Sequence, residues 1–191
     1  MFAFKNKYFL IIESIKDLNL RNIKLINKYI IIYRNKGKIE NIEELIKFRR
    51  KCKSKKIDFF VSNNKKLSIL LKADGLYISA HNLDLRLAKL KKSNFKIIGA
   101  AHNIKELNIK ILQGCSDIIF SRLFKVSHPF KKGYLGVVKF NLFGLTRKTN
   151  LVPLGGINLD NLNKLKMVKS HSFALLSEIK KKPVKIFNRL F

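Results

Sequence analysis

Residues 96–121 read KIIGAAHNIKELNIKILQGCSDIIFS. The run from Lys96 to Ala100 is short and almost wholly apolar, and so is the run from Asp117 to Ser121. A strand with apolar residues at consecutive positions is covered on both faces, which is the pattern of a parallel sheet. Between the two runs Leu107, Ile111 and Leu112 recur at helical spacing. The stretch therefore predicts strand, helix, strand.

The same rhythm extends in both directions. Strands are predicted at Tyr8 to Ile12, Tyr29 to Tyr33, Phe59 to Ser62 and Gly75 to Ile78 on one side, and at Leu151 to Leu154 and Ser172 to Leu176 on the other. Helical spacing joins Ile42, Leu45, Ile46 and Arg49, then Leu67, Leu70 and Leu71, then Leu83, Leu87 and Leu90. Strict alternation implies right-handed crossovers and a parallel sheet, and eight strands imply closure. The expected fold is α/β, a single (β/α)8 TIM barrel with short loops occupying residues 1–191. A doubly wound open sheet is the alternative, but the glycine-rich dinucleotide turn that often follows its first strand is missing.

Composition bounds the function. With 47% hydrophobic residues and 10% aromatics over 191 residues, the chain can bury one full core and is not a disordered tail. No apolar run reaches the roughly 20 residues of a membrane-spanning helix. Cys52 and Cys115 have no partner spacing, so neither a disulfide framework nor a zinc site is expected, and a cytoplasmic location fits. Forty-one Lys and Arg against twelve Asp and Glu give a net charge of +29. That charge suggests nucleic acid or an anionic membrane. The lysines are dispersed, however, with short clusters only at Lys51 to Lys56, Lys89 to Lys92 and Lys180 to Lys185, so nonspecific polyanion binding is expected ahead of dedicated recognition. The segment Lys180 to Phe191 could also present Val184, Phe187 and Phe191 as one apolar stripe, either to a membrane surface or, as the last barrel helix, to the sheet.

In such a barrel chemistry sits at the C-terminal ends of the strands. After the seventh strand comes Leu154-Gly155-Gly156-Ile157-Asn158, where two glycines let backbone amides approach an anion and a helix starting near Leu159 would add its positive end. Ser177 follows the eighth strand and would face the same anion. A tight strand-to-helix turn is the alternative account of the glycine pair, but its location after the seventh strand favours phosphate binding. After the second strand, Arg34 and Lys36 put two cations at the mouth, the first suited to bidentate phosphate binding, although solvated surface explains them as well. His102 and His81 stand at strand ends, where a general base could act.

Three of these segments, in their order and spacing, carry a resemblance: Ala73-Asp74-Gly75-Leu76, Ile97-Ile98-Gly99-Ala100-Ala101-His102 and Gly155-Gly156-Ile157-Asn158. From about Tyr8 to Ser177 the chain resembles the thiamine-phosphate synthase family, one branch of which is a thiazole tautomerase. The resemblance implies an enzyme of thiamine biosynthesis that joins a hydroxymethylpyrimidine diphosphate to a thiazole phosphate and releases pyrophosphate with Mg2+. It implies pyrophosphate binding by Arg34 and Lys36, although Ile32 stands where the family has glutamine. It implies thiazole-phosphate binding by Gly155, Gly156 and Ser177, and proton transfer by His102 as in the tautomerase branch, in a loop one residue shorter.

The departures concern the metal. The family's Asn-Asp pair after the third strand reads Ser62-Asn63, and its Gln-x-Asp after the fourth reads Ala80-His81-Asn82. Asn63 and Asn82 thus stand at the metal positions as amides, which bring no charge to a cation that favours one or two carboxylates. The Thr-x-Thr-Lys segment after the sixth strand reads Val126-Ser127-His128-Pro129. Three expectations follow: a synthase whose cations take over part of the metal's role; a metal-free relative, either a tautomerase or a noncatalytic phosphate-binding protein; or a basic protein associated with RNA or a membrane surface. If the glycine pair holds phosphate, Gly156→Asp should abolish binding by setting a carboxylate against the anion.

Overall fold

The computed structural model describes residues 7–23, 27–35, 37, 40–93, 95–126, 133–145, 149–176 and 179. Eight parallel strands form one sheet: β1 (Lys7–Ile12), β2 (Tyr29–Tyr33), β3 (Asp58–Ser62), β4 (Gly75–Ile78), β5 (Lys96–Ala101), β6 (Asp117–Ser121), β7 (Asn150–Leu154) and β8 (Ser172–Leu175). From β1 to β7 each strand pairs with the next in sequence, and β8 returns to pair with β1 in the register Tyr8 to Phe173 and Leu10 to Leu175. The sheet is a nearly closed (β/α)8 barrel. Its seam lies between β7 and β8, which are neighbours without a hydrogen-bonded ladder. At the base of that seam the Ser170 hydroxyl lies 2.7 Å from the Leu151 carbonyl of β7 and 2.9 Å from the Ser172 carbonyl of β8.

The continuous apolar runs are explained by two separate cores. Phe9, Ile11, Ile30, Ile32, Phe60, Ile98, Ile119 and Val152 fill the barrel interior, while the alternate positions Tyr8, Leu10, Ile31, Phe59, Leu76, Ile118 and Leu151 pack outward under the connecting segments. Successive side chains of a strand point to opposite faces, so both parities must be apolar.

The covering layer is thinner than strict alternation predicts. The described α-helices are α1 (Ile42–Ser54), α2 (Lys65–Leu70), α3 (Ile104–Leu112) and α4 (Gly136–Leu145), and the crossovers after β1, β4 and β7 carry 3-10 helices instead. The buried faces also differ from the predicted ones. Leu70, Leu83 and Leu112 are more than half exposed, whereas Lys110 is wholly buried. Gly99 on β5 makes the difference at α3: a Cβ there would lie 2.9 Å from Lys110 Cδ and 2.8 Å from Cys115 Sγ, so its absence gives the lysine stem a bed against the strand. No described helix is long and apolar enough to cross a membrane. The segment Lys180 to Phe191 lies outside the described residues.

The motif Ala73-Asp74-Gly75 sits at the N-terminal end of β4, away from the mouth. Asp74 Oδ2 accepts the Phe59 amide at 2.7 Å, and Oδ1 takes Arg49 Nη2 of α1 at 2.9 Å. A Cβ on Gly75 would come within 2.1 Å of the Lys96 carbonyl oxygen. This motif holds strands together at the end of a barrel where stability rather than chemistry is decided.

Candidate functional site

The C-terminal ends of β2 to β7 bring Arg34, Asn63, His81, Asn82, His102, Gly155 and Gly156 to one rim. Lys36 and Ser177, also expected there, lie outside the described residues, as do Ser127, His128 and Pro129.

Asn63 and Asn82 meet. Asn63 follows β3 in the left-handed region at φ 54°, a conformation that asparagine accepts more readily than most residues. Its Oδ1 accepts from the Ser79 amide at 3.1 Å and from Asn82 Nδ2 at 3.2 Å, and its Nδ2 donates to Ser79 Oγ at 2.9 Å. Asn82 Oδ1 is itself taken by the Asp84 amide at 3.0 Å. Both carbonyl oxygens that would have to face a cation are therefore engaged by N–H donors. Among the described residues no group of three or more His, Cys, Asp or Glu side chains stands ready for a metal. Uncharged oxygens already accepting hydrogen bonds do not fit a magnesium site of the carboxylate kind implied by the resemblance.

His102 is fixed from two sides. Asn103 caps α3 by accepting the Glu106 amide at 2.9 Å, and Glu106 Oε2 reaches back to the His102 amide at 2.7 Å, a reciprocal arrangement that sets the backbone at the strand end. The imidazole Nδ1 lies 2.6 Å from Ser121 Oγ at the end of β6, within a hydrogen bond whose proton position follows the ring tautomer. His81, at the end of β4, stands edge-on to His102 with ring centroids 6.2 Å apart. Sequence reasoning missed Ser121 and Glu106; the former's position at a strand end was the available signal.

Arg34 is held as well. Its Nη2 donates to Glu13 Oε1 at 3.2 Å, and its guanidinium stands beside Tyr77, whose side chain packs in the barrel interior. Burial pushes the Tyr77 hydroxyl up to about 12, with the neighbouring guanidinium pulling the other way. Arg34 Nε is buried with no hydrogen-bond partner among the described residues. Glu13, at the end of β1, partly neutralises a cation that the sequence alone presented as uncompensated.

Gly155 and Gly156 turn at φ 97° and 70°, in the region where glycine alone is unstrained. The turn packs against the segment after β6. Phe124 donates its amide to the Gly155 carbonyl at 3.0 Å, and a Cβ on Gly156 would lie 2.5 Å from the Lys125 carbonyl oxygen and 2.6 Å from that of Phe124. The expected helix near Leu159 is a turn, followed by a 3-10 helix at Leu162–Met167, so the turn lacks the aligned dipole of a full α-helix.

The model of the family described as thiamine monophosphate synthase matches residues 20–179. A thiamine-phosphate synthase of Prochlorococcus marinus is 30% identical over 131 residues, covering 67% of this chain and 37% of its own. One from Pelagibacter ubique is 27% identical over 201 residues, covering 97% of each. The chain spans less than half the length of the Prochlorococcus relatives it matches. Among solved structures, the thiamine phosphate pyrophosphorylase from Pyrococcus furiosus superposes with a TM-score of 0.77 at 18% identity over 98% of this chain and 95% of that one, a likeness of fold.

Proposed function

Because the chain belongs to the thiamine monophosphate synthase family, we propose that it works in thiamine biosynthesis, joining a hydroxymethylpyrimidine diphosphate to a thiazole phosphate and releasing pyrophosphate. The observation that carries this reading is the placement of Arg34 and the Gly155–Gly156 turn on one rim, at the ends of β2 and β7. Those strands are separated around the ring by β8 and β1, which leaves room for two anions from two ligands.

In this reading the glycine turn receives the thiazole phosphate through backbone amides. The other ligand loses pyrophosphate, which departs with the electron pair of the broken bond and needs positive charge beside it. Arg34 supplies that charge, oriented by Glu13 and Tyr77. Lys36 and Ser177 join these two subsites as further proposals. The Asn63–Asn82 pair does not fit a protein-held magnesium, and no step is assigned to one. The setting is cytoplasmic, and the charge of +29 adds nonspecific, salt-sensitive binding of polyanions.

A second reading rests on His102, held by Ser121 and the α3 cap: proton transfer on the thiazole phosphate alone, as a metal-free tautomerase. Purified protein given both precursors, with magnesium and separately with a chelator, tests the choice. Thiamine phosphate formation lost in Arg34→Met and retained in His102→Gln supports the synthase. Tautomer conversion lost in His102→Gln, with no thiamine phosphate under either condition, replaces it with the second reading. Neither product refutes both.

A further inference from the structure

Lys110 is the one lysine among the described residues with no exposed surface, and neither reading of the mouth uses it. Its stem lies on Gly99 and its Nζ donates to the Asn82 carbonyl at 2.6 Å and to Gln113 Oε1 at 2.9 Å. Gln113, also wholly buried, donates through Nε2 to the same Asn82 carbonyl at 3.0 Å and to the Asp84 carbonyl at 3.2 Å. Two side chains of the α3 segment thus converge on the backbone of the β4 loop, directly behind the residue whose amide meets Asn63.

We propose that Lys110 and Gln113 form a positioning clamp that fixes the β4 loop, so that Asn82 reaches Asn63 and His81 stands beside His102 at the ligand-binding rim. The geometry favours a clamp over filler. An apolar side chain would fill the same space without the cost of burying an ammonium, and a buried charge persists where its hydrogen bonds are needed. Desolvation holds the Lys110 ammonium below the usual lysine value, opposed by Cys115 and Glu106 nearby. The hydrogen bonds to a charged donor are correspondingly strong. The clamp acts through Asn82 and touches no ligand itself. Its effect on ligand affinity rests on the proposed function; its effect on the loop does not.

The test is Lys110→Met, which keeps the length of the side chain and removes the donor, with Gln113→Leu as a second variant should the first fail to fold. Two readouts are taken: the side-chain amide resonances of Asn63 and Asn82 by 15N NMR, and the affinity for inorganic pyrophosphate and thiazole phosphate by titration calorimetry. The expected result is displacement or broadening of both amide resonances and about tenfold weaker binding, the loss of roughly one strong hydrogen bond. Amide resonances that stay in place, whatever happens to the melting temperature, overturn the clamp. Wild-type protein that binds neither ligand overturns the functional reading instead, and the resonances still decide the clamp.

Discussion

Asn82 Nδ2 donates to Asn63 Oδ1 at 3.2 Å, closing the ends of β4 and β3 against each other through two uncharged groups. Two carboxylates at that separation would repel and would need a cation between them. The double variant Asn63→Asp/Asn82→Asp should therefore be less stable than the wild type without metal and should regain stability with magnesium. At a magnesium concentration about tenfold above its dissociation constant the gain is about 1.4 kcal/mol. Thermal denaturation with and without magnesium measures it. A melting temperature indifferent to magnesium would show that the remaining geometry cannot hold the ion.

Gly156→Ala should destabilise the barrel by about 3 kcal/mol, because the φ of 70° disfavours a side chain and the new Cβ would press on two backbone carbonyls. Gly155→Ala should cost less, since its Cβ would meet Arg122 atoms at 3.1 to 3.2 Å. Urea denaturation ranks the two. The steric conflict also changes the meaning of Gly156→Asp: lost phosphate binding in that variant would report a displaced turn as readily as a carboxylate set against the anion.

Arg49→Met should cost about 3 kcal/mol, the lower end for breaking a buried pair, because the Asp74 side chain keeps 31% of its surface in water. Asp74→Asn should cost at least as much, since one amide oxygen cannot accept from both Phe59 and Arg49 and the more deeply buried guanidinium loses its counter-charge. A negligible loss in either variant would count against the ion pair as the source of the effect.

Burial pushes the thiols of Cys52 and Cys115 up to about 12. A thiol raised above its unfolded value favours the folded state fully below that unfolded value, near 8.5, and loses the contribution as pH rises towards 12. Stability should therefore fall across this alkaline window. At pH 8 neither thiol should react with a disulfide reagent until the chain unfolds. Prompt labelling of native protein at pH 8 would contradict the burial of both.

The strands were legible because both faces of each are covered: an unbroken run such as Tyr29 to Tyr33 leaves little other choice, and that strand matches its predicted limits. The helices were less so. Spacing grouped Leu107 with Ile111 and Leu112, yet Lys110 turns inward, because the space over Gly99 and the carbonyls of residues 82 and 84 are long-range facts that periodicity does not carry. The rim followed from strand order alone. Its contacts did not: Glu13 lies 21 positions from Arg34, Ser121 lies 19 from His102, and Asn63 lies 19 from Asn82. Folding brings these together, and only the strand-end rule hinted at where to look.

Seven ladders stitch the ring, and the remaining joint, between β7 and β8, is pinned at its base by the Ser170 hydroxyl. The Gly155–Gly156 turn leaves the open end of that same joint. Strands without a ladder part at lower cost than strands with one, so the ring is easiest to spring at the place assigned to the phosphate. In the proposed function a phosphate held by the turn would also act as the clasp of the barrel, and its departure would loosen the hoop that shapes the site.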